Sequence, residues 1–284
     1  MTPMERALER IKAAGGKLVD GKWEVPGNLD LSCLGLTKLP PLRKVGGDFH
    51  CGGNKLTSLE GAPEKVGEDF DCSSNHLTSL DGAPRKVGGS FYCSNNQLTS
   101  LEGAPEKVGE NFDCSNNHLT SLEGAPQKVG GLFYCSYNQL TSLKGAPREV
   151  GRGFYCNNNY LASLEGAPRE VESFYCGRNL LTSLEGAPRE VGRGFYCNNN
   201  YLASLEGAPR EVESFFCYSN HLTSLKGAPE KVNGAFYGGR NLLTSLEGAP
   251  RKVGGGFYCV GNPVKLDYRR WLEKTPVAEK DEDE

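Results

Sequence analysis

One repetition governs what this chain can fold into. A segment of the form Phe-x-Cys-x-x-Asn-x-Leu-x-x-Leu recurs every 21 or 20 residues from Val45 almost to the C-terminus. Its Phe position runs from Phe49, Phe70 and Phe91 to Phe257, and its Asn position keeps step from Asn54 to Asn262. Units this short cannot bury their own apolar residues, so neighbours must stack and share one continuous core.

Each column of the repeat has a physical task. Phe and Cys alternate on an extended segment, so both point inward. The two downstream leucines, such as Leu98 and Leu101, point into the same core, and Val closes the return side. Asn is expected at a turn, placed for hydrogen bonding and not for burial, with its amide bridging backbone groups of adjacent coils. Gly-Ala-Pro gives an extended return that needs no helix. The 21-residue units carry one extra residue, usually Gly, between Val and Phe, which reads as a bulge or turn where glycine tolerates strained backbone. The expected product is a mainly β solenoid with one parallel strand per repeat, about twelve coils spaced by about 4.8 Å and so about 55 Å long.

The 20-residue unit Val171-Glu-Ser-Phe174-Tyr-Cys176-Gly-Arg-Asn179-Leu-Leu181 matches the L-x-x-L-x-L-x-x-N-x-L pattern. From Asn28 to Val264 the chain thus resembles the leucine-rich-repeat family. It is most similar to the short-repeat bacterial and bacteriophage-encoded members, which share the Leu-Thr-Ser-Leu phrase. The resemblance implies a horseshoe with a concave parallel sheet and a helix-poor convex side. Phe and Cys replace two strand leucines, and Gly-Ala-Pro replaces the Leu-Pro turn or helix of many relatives.

Solenoid ends must hide an apolar core. Residues 1–27 read as an N-terminal cap: Thr2-Pro3-Met4-Glu5 is a capping box with Pro at the first helical position, Met4, Ala7, Leu8 and Ile11 share one face, and Gly15-Gly16 stops the helix. An Asp20-Gly21 hairpin follows. Residues 28–263 form the coils, beginning with a degenerate repeat in which Leu31 stands in the Cys column. Residues 264–275 read as a helical cap whose Leu266, Trp271 and Leu272 cover the last coil, and 276–284 as an acidic disordered tail. Inside the solenoid, REVGRGFYCNNNYLASLEGAPREVES occurs twice, within residues 148–188 and 189–229. Duplication of a two-repeat unit extends a surface readily and suits a single fixed active-site geometry poorly.

The chemistry-bearing residues point the same way. Ten of eleven cysteines occupy one column, from Cys51 to Cys259 with Gly238 interrupting, and Cys33 lies in the first coil's turn. Side chains stacked in register point in parallel, whereas disulfides need convergent Cβ atoms and zinc sites need a C-x2-C pair. The column reads as small buried hydrophobes. His76, His118 and His221 follow Asn at a position that also accepts Gln, Tyr, Lys or Leu, so they belong to exposed turns. His50 lies near Asp48, Asp69 and Asp71 and is the one candidate for acid–base or metal chemistry. No nucleophile triad, phosphate loop or zinc-binding helix pattern occurs, and neither an enzyme activity nor a cofactor is expected. The net charge is -3, and the tail from Glu279 to Glu284 holds five acids and one base, so the body is nearly neutral. That disfavours nucleic acid. The charged start and the lack of long apolar runs imply neither a secretory signal nor a membrane span, and place the protein in the cytoplasm.

The informative column lies between Phe and Cys, facing outward. It reads Asp30, His50, Asp71, Tyr92, Asp113, and then seven consecutive aromatics: Tyr134, Tyr155, Tyr175, Tyr196, Phe216, Tyr237 and Tyr258. Adjacent columns add Tyr137, Arg178, Tyr218 and Arg240. Exposed aromatics with Arg and Asn are the composition of interface hot spots, although cross-strand aromatic pairs also stabilise a sheet by about 0.2–1 kcal/mol each. The reading is a protein-interaction module taking a partner on its concave aromatic face. The resemblance implies a phage-encoded factor acting on a host protein in the host cytoplasm. Alternatives are a virion or self-assembling component, and a binder of glycans or single-stranded nucleic acid through Tyr stacking.

Overall fold

The structure is a computed structural model and describes residues 1–263 and 267–274. Its spine is a twelve-stranded parallel sheet in strict chain order, from Leu29–Asp30 through Phe49–His50 to Phe257–Tyr258. Each strand is only two or three residues long, and every pair is in register, so that Phe154 lies opposite Phe133 and Tyr155 opposite Tyr134, as their equivalents do along the sheet. Phe49 to Phe257 therefore form one inward ring column with centroids 4.9–5.8 Å apart. The Cys column and both leucine columns complete a core that is almost wholly buried.

Asparagine locks the coils together. The amide of Asn117 donates to the carbonyls of Cys114 in its own coil and Cys93 in the preceding one, at 3.1 Å each, while its Oδ1 accepts from Leu98 N–H at 3.0 Å. The same set recurs from Asn54 to Asn262. The expected bridging of adjacent coils is thus present, but most of these side chains are also buried, which the reading of Asn as placed for bonding and not for burial did not foresee. The reason is that three bonds satisfy the amide inside the core. No buried side-chain polar atom among the described residues lacks a partner.

The return side carries more order than the sequence suggests. After each Leu-x-Gly-Ala turn, closed by a bond such as Ala104 N–H to Leu101 O with Gly103 at φ 88°, the chain forms a second short strand ending in Val. These strands pair in parallel from Lys22–Val25 to Glu149–Val150, then in two further groups, Glu170–Val191 and Glu211–Val253. The sheet breaks after Val150 and again after Val191, the equivalent place in each copy of the duplicated segment.

The extra glycine is not a strained residue. Gly46, Gly67, Gly88, Gly109, Gly130 and Gly151 all avoid the left-handed region. They are needed because the preceding coil approaches closely: a Cβ on Gly109 would sit 1.9 Å from the carbonyl oxygen of Gly88. Where the preceding coil has 20 residues the constraint lapses. A Cβ on Gly192 would meet nothing nearer than Glu172 Cα at 3.9 Å, and Asn233 needs no glycine at all.

Both ends are closed. Helix α1 (Pro3–Ala13) has the expected capping box, buries Ala7 and Ile11, and aims Arg6 and Arg10 at the carbonyls of Leu34 and Asp30. The hairpin of β1 (Lys17–Val19) and β2 (Lys22–Val25) turns through Asp20 and Gly21, both at positive φ, and β2 opens the return sheet. At the far end α2 (Tyr268–Lys274) covers the last coil through Tyr268, which stacks on Phe257 at 4.1 Å and donates to Pro250 O at 2.7 Å. Trp271 packs behind Tyr268, whereas Leu272 is exposed, correcting its place in the cap. The helix is amphipathic through its rings, so the aliphatic position is left outside. Leu266 and the acidic tail lie outside the described residues.

Gly109→Ala is expected to lower stability by about 3 kcal/mol, because backbone cannot yield to a new methyl group. Gly192→Ala is expected to be neutral or stabilising by up to about 1 kcal/mol. Denaturant unfolding of the two variants side by side measures the difference.

Candidate binding face

The outward face of the long sheet divides at Asp113. N-terminal to it the column reads Asp30, His50, Asp71 and Tyr92, and its carboxylates serve the sheet. Asp30, Asp71 and Asp113 each accept the N–H two residues on, from Ser32, Ser73 and Ser115. Asp48 and Asp69 do not converge on His50. With Asn28, Ser90 and Asn111 they form a second ladder at the strand start, each side-chain oxygen accepting the N–H of its counterpart in the next coil, as in Asp69 N–H to Asp48 Oδ1 at 3.0 Å. His50 instead lies between its strand neighbours Asp30 and Asp71, with Nδ1 3.8 Å from Asp71 Oδ2, both partly exposed. Among the described residues no group of three His, Cys, Asp or Glu side chains could hold a metal ion.

C-terminal to Asp113 the face is aromatic. Tyr134, Tyr155, Tyr175, Tyr196, Phe216, Tyr237 and Tyr258 form a single stack with successive centroids 4.6, 4.2, 4.0, 4.3, 4.5 and 4.8 Å apart. Sheet spacing sets this distance, since adjacent parallel strands lie about 4.8 Å apart and rings in register have nowhere else to go. The rings lean back over the preceding outward position. A Cβ on Gly194 would sit 2.5 Å from the ring of Tyr196, and one on Gly256 would sit 2.3 Å from Tyr258. Under the first ring, Tyr134, that position holds Leu132, and under the six that follow it holds Gly153, Ser173, Gly194, Ser214, Ala235 and Gly256.

Stacking decides what the face offers. Ring faces cover one another, leaving edges and hydroxyls half-buried in a row. Burial, together with hydrogen bonds to the hydroxyls of Tyr196 and Tyr155, holds the Tyr175 phenol well above its ordinary value, and burial raises Tyr134. The four remaining candidates separate. Tyr218 lies two residues beyond Phe216 on the same face, beside Asn157 and Asn198 in its column. Tyr137, Arg178 and Arg240 do not share that column. They occupy the left-handed turn past the strand end, with φ of 56°, 55° and 52°, and are exposed at the rim of the face.

The rim holds residues that sequence reasoning passed over. Tyr160, Leu180, Tyr201 and Leu242 follow the ladder Asn and are 56, 42, 52 and 49% exposed. The signal was present: this column reads Lys55, His76, Gln97, His118 and Gln139, then becomes apolar at Tyr160, one coil after the front becomes aromatic at Tyr134. Only His221, edge-on to Tyr201 at 5.5 Å, interrupts it. The cysteine column carries no chemistry. Its thiols are unpaired and, apart from Cys259, fully buried; burial pushes them far up, Cys259 to about 12.

No family model matches the chain, and no curated protein matches it in sequence. Among solved structures it is similar to YopM, a leucine-rich effector protein from Yersinia pestis, with a TM-score of 0.64 at 24% identity over 92% of this chain and 72% of that one. It is also similar to the leucine-rich-repeat domain of APL1, with a TM-score of 0.54 at 20% identity, covering 68% of this chain and 54% of that one. The chain has the leucine-rich-repeat fold. Its Phe, Cys and Gly-Ala-Pro columns are accommodated without departure from the parallel solenoid. No helix among the described residues is long and apolar enough to cross a membrane.

Two solution properties follow. Thiols held protonated by burial do not alkylate, so iodoacetamide at about pH 8 is expected to modify exposed Cys33 alone, and all eleven cysteines after unfolding. Peptide mass mapping reads this directly. A phenol raised in the folded state stabilises fully below the ordinary value of 10.0, and its contribution is lost as pH rises through the folded value. Tyr175→Phe is therefore expected to stay within about 0.5 kcal/mol of wild type at neutral pH and to lose less stability in alkali. Unfolding curves across the alkaline range test it.

Proposed function

We propose that this chain is a non-catalytic protein-interaction module that receives a protein partner on the aromatic half of its long sheet, the concave side of a leucine-rich-repeat horseshoe. The carrying observation is the continuous seven-ring stack from Tyr134 to Tyr258 on an open face. Its form favours a protein over a glycan or single-stranded nucleic acid. Bases and sugars bind by stacking on free ring faces, and here the faces within the array are spent on each other. A row of Tyr edges and hydroxyls beside Asn157, Asn198 and Tyr218, with Tyr137, Arg178 and Arg240 at the rim, is instead suited to the mixed apolar and polar contacts of a protein interface. Preassembly also removes most of the rotamer entropy that such side chains would otherwise lose on binding.

YopM is an effector protein, and that likeness supports a setting in which this chain acts on a host protein. The short-repeat resemblance adds a phage-encoded origin and action in the host cytoplasm.

The test is affinity capture from host lysate with wild type beside the Tyr175/Tyr196/Tyr237→Ala variant. Hot-spot truncations cost about 1–2 kcal/mol each, so a partner held by wild type is expected to be lost from a variant that keeps its circular dichroism spectrum. Equal recovery by both proteins would refute the assignment of the stack as the docking face.

A further inference from the structure

The return sheet carries a charge pattern that the front face does not explain. The residue before each Val points outward, and down the stack this column reads Lys44, Lys65, Lys86, Lys107 and Lys128, then Glu149, Glu170, Glu190 and Glu211, then Lys231 and Lys252. Like charges are set directly opposite one another, Lys44 against Lys65, Lys65 against Lys86 and Glu170 against Glu190, an arrangement that destabilises a sheet. Ion pairs form where the sign changes: Lys128 with Glu149 at 2.6 Å and Lys231 with Glu211 at 2.5 Å. Among the described residues Lys65, Lys86 and Lys107, and likewise Glu170 and Glu190, form none.

We infer that the return sheet is a self-complementary surface on which a second copy of this chain docks in a two-fold dimer. A two-fold axis along the strands, passing between Lys128 and Glu149, reverses the order of coils and matches the column to itself. Lys128 then faces the second copy's Glu149, Lys107 faces Glu170, Lys86 faces Glu190 and Lys65 faces Glu211. Two of these four pairs, Lys107 with Glu170 and Lys86 with Glu190, join side chains that form no ion pair within one chain among the described residues, whereas Lys128, Glu149 and Glu211 also have partners in their own chain. The match ends at the next coil, where Lys44 opposes Lys231, so a shift of register exchanges attractive pairs for like ones.

Shape supports the same partner. The two breaks in the return sheet lie within the glutamate block, where a groove of about 790 Å³ is lined by five glutamates, among them Glu170, Glu190 and Glu211, by the valines beside them, and by Arg189 and Arg210. Extended lysine side chains from the other copy have room to enter it. Eight coils at about 4.8 Å by a return segment of about six residues present about 38 by 20 Å, comparable to the roughly 800 Å² per partner of a standard interface. A polyanion fits less well, because Glu64, Glu68, Glu106 and Glu110 flank the lysines.

The test is a charge swap on the full chain, followed by sedimentation velocity. Wild type is expected to dimerise at about 50 mM salt and to dissociate at least tenfold more readily at about 500 mM, where screening is strong. Lys86→Glu with Lys107→Glu is expected to be monomeric, as is Glu170→Lys with Glu190→Lys. Mixing the two variants is expected to restore a dimer, since every opposed pair is again of opposite sign. That restoration cannot come from misfolded chains. Wild type that stays monomeric at low salt, variants that dimerise alone, or a mixture that does not associate would each overturn the proposal.

Discussion

Everything in this molecule rests on the asparagine ladder. A parallel strand of two residues has too few backbone bonds to fix its neighbour, and a stack of such strands would slip. Asn117 ties Cys93, Leu98 and Cys114 together through one amide, and its equivalents do so in each coil from Asn54 to Asn262. Each buried amide is satisfied only if the next coil is in register, so desolvation penalises any slip. Register, once imposed, is inherited by every other column. The Phe rings, the thiols and the outward tyrosines stack because the asparagines leave them no alternative.

The same constraint explains why repeat length matters. Coils of 21 residues bring backbone against backbone at the Val-Gly step, and only glycine fits. Coils of 20 residues relieve that contact, which is why Glu172 and Glu213 stand where glycine is otherwise required. Alternation of the two lengths coincides with the breaks in the return sheet, and the duplicated segment contains both. One duplication therefore lengthened the aromatic front, the apolar rim and the broken, glutamate-bearing back together. The three surfaces are coupled by descent as well as by register.

The columns were legible in the sequence because each position is written eleven times, and chance variation cancels. The solenoid, the buried cysteines, the hairpin at Asp20-Gly21 and the capping box at Thr2 all follow from patterns within one coil or one turn. What escaped depends on contacts between coils. The ladder from Asn28 through Asp48 and Asp69 to Asn111 mixes Asn, Asp and Ser, so it does not look like one column, and Asp48 and Asp69 were instead associated with His50. The left-handed turn at Tyr137, Arg178 and Arg240 is filled elsewhere by Asn, Ser and Gly. Read along that column, those residues would have identified the turn; read beside the tyrosines, the three looked like part of the sheet. Leu272 gave way to Tyr268 because the terminal Phe257 ring is better covered by another ring than by an aliphatic chain.

Net charge was the least informative quantity. A body near neutrality says that no long-range field surrounds the protein, and it says nothing about columns in which like charges stand one strand apart. At about 4.8 Å, opposed lysines lie well inside the Debye length of about 8 Å at physiological salt, so their repulsion is felt and is relieved only by a nearby counter-charge. The front face has no such tension, since its tyrosines satisfy one another by stacking. The two sides thus differ in kind: one is a preassembled aromatic surface whose contacts are short-ranged, the other a charged surface in which like charges stand opposite one another.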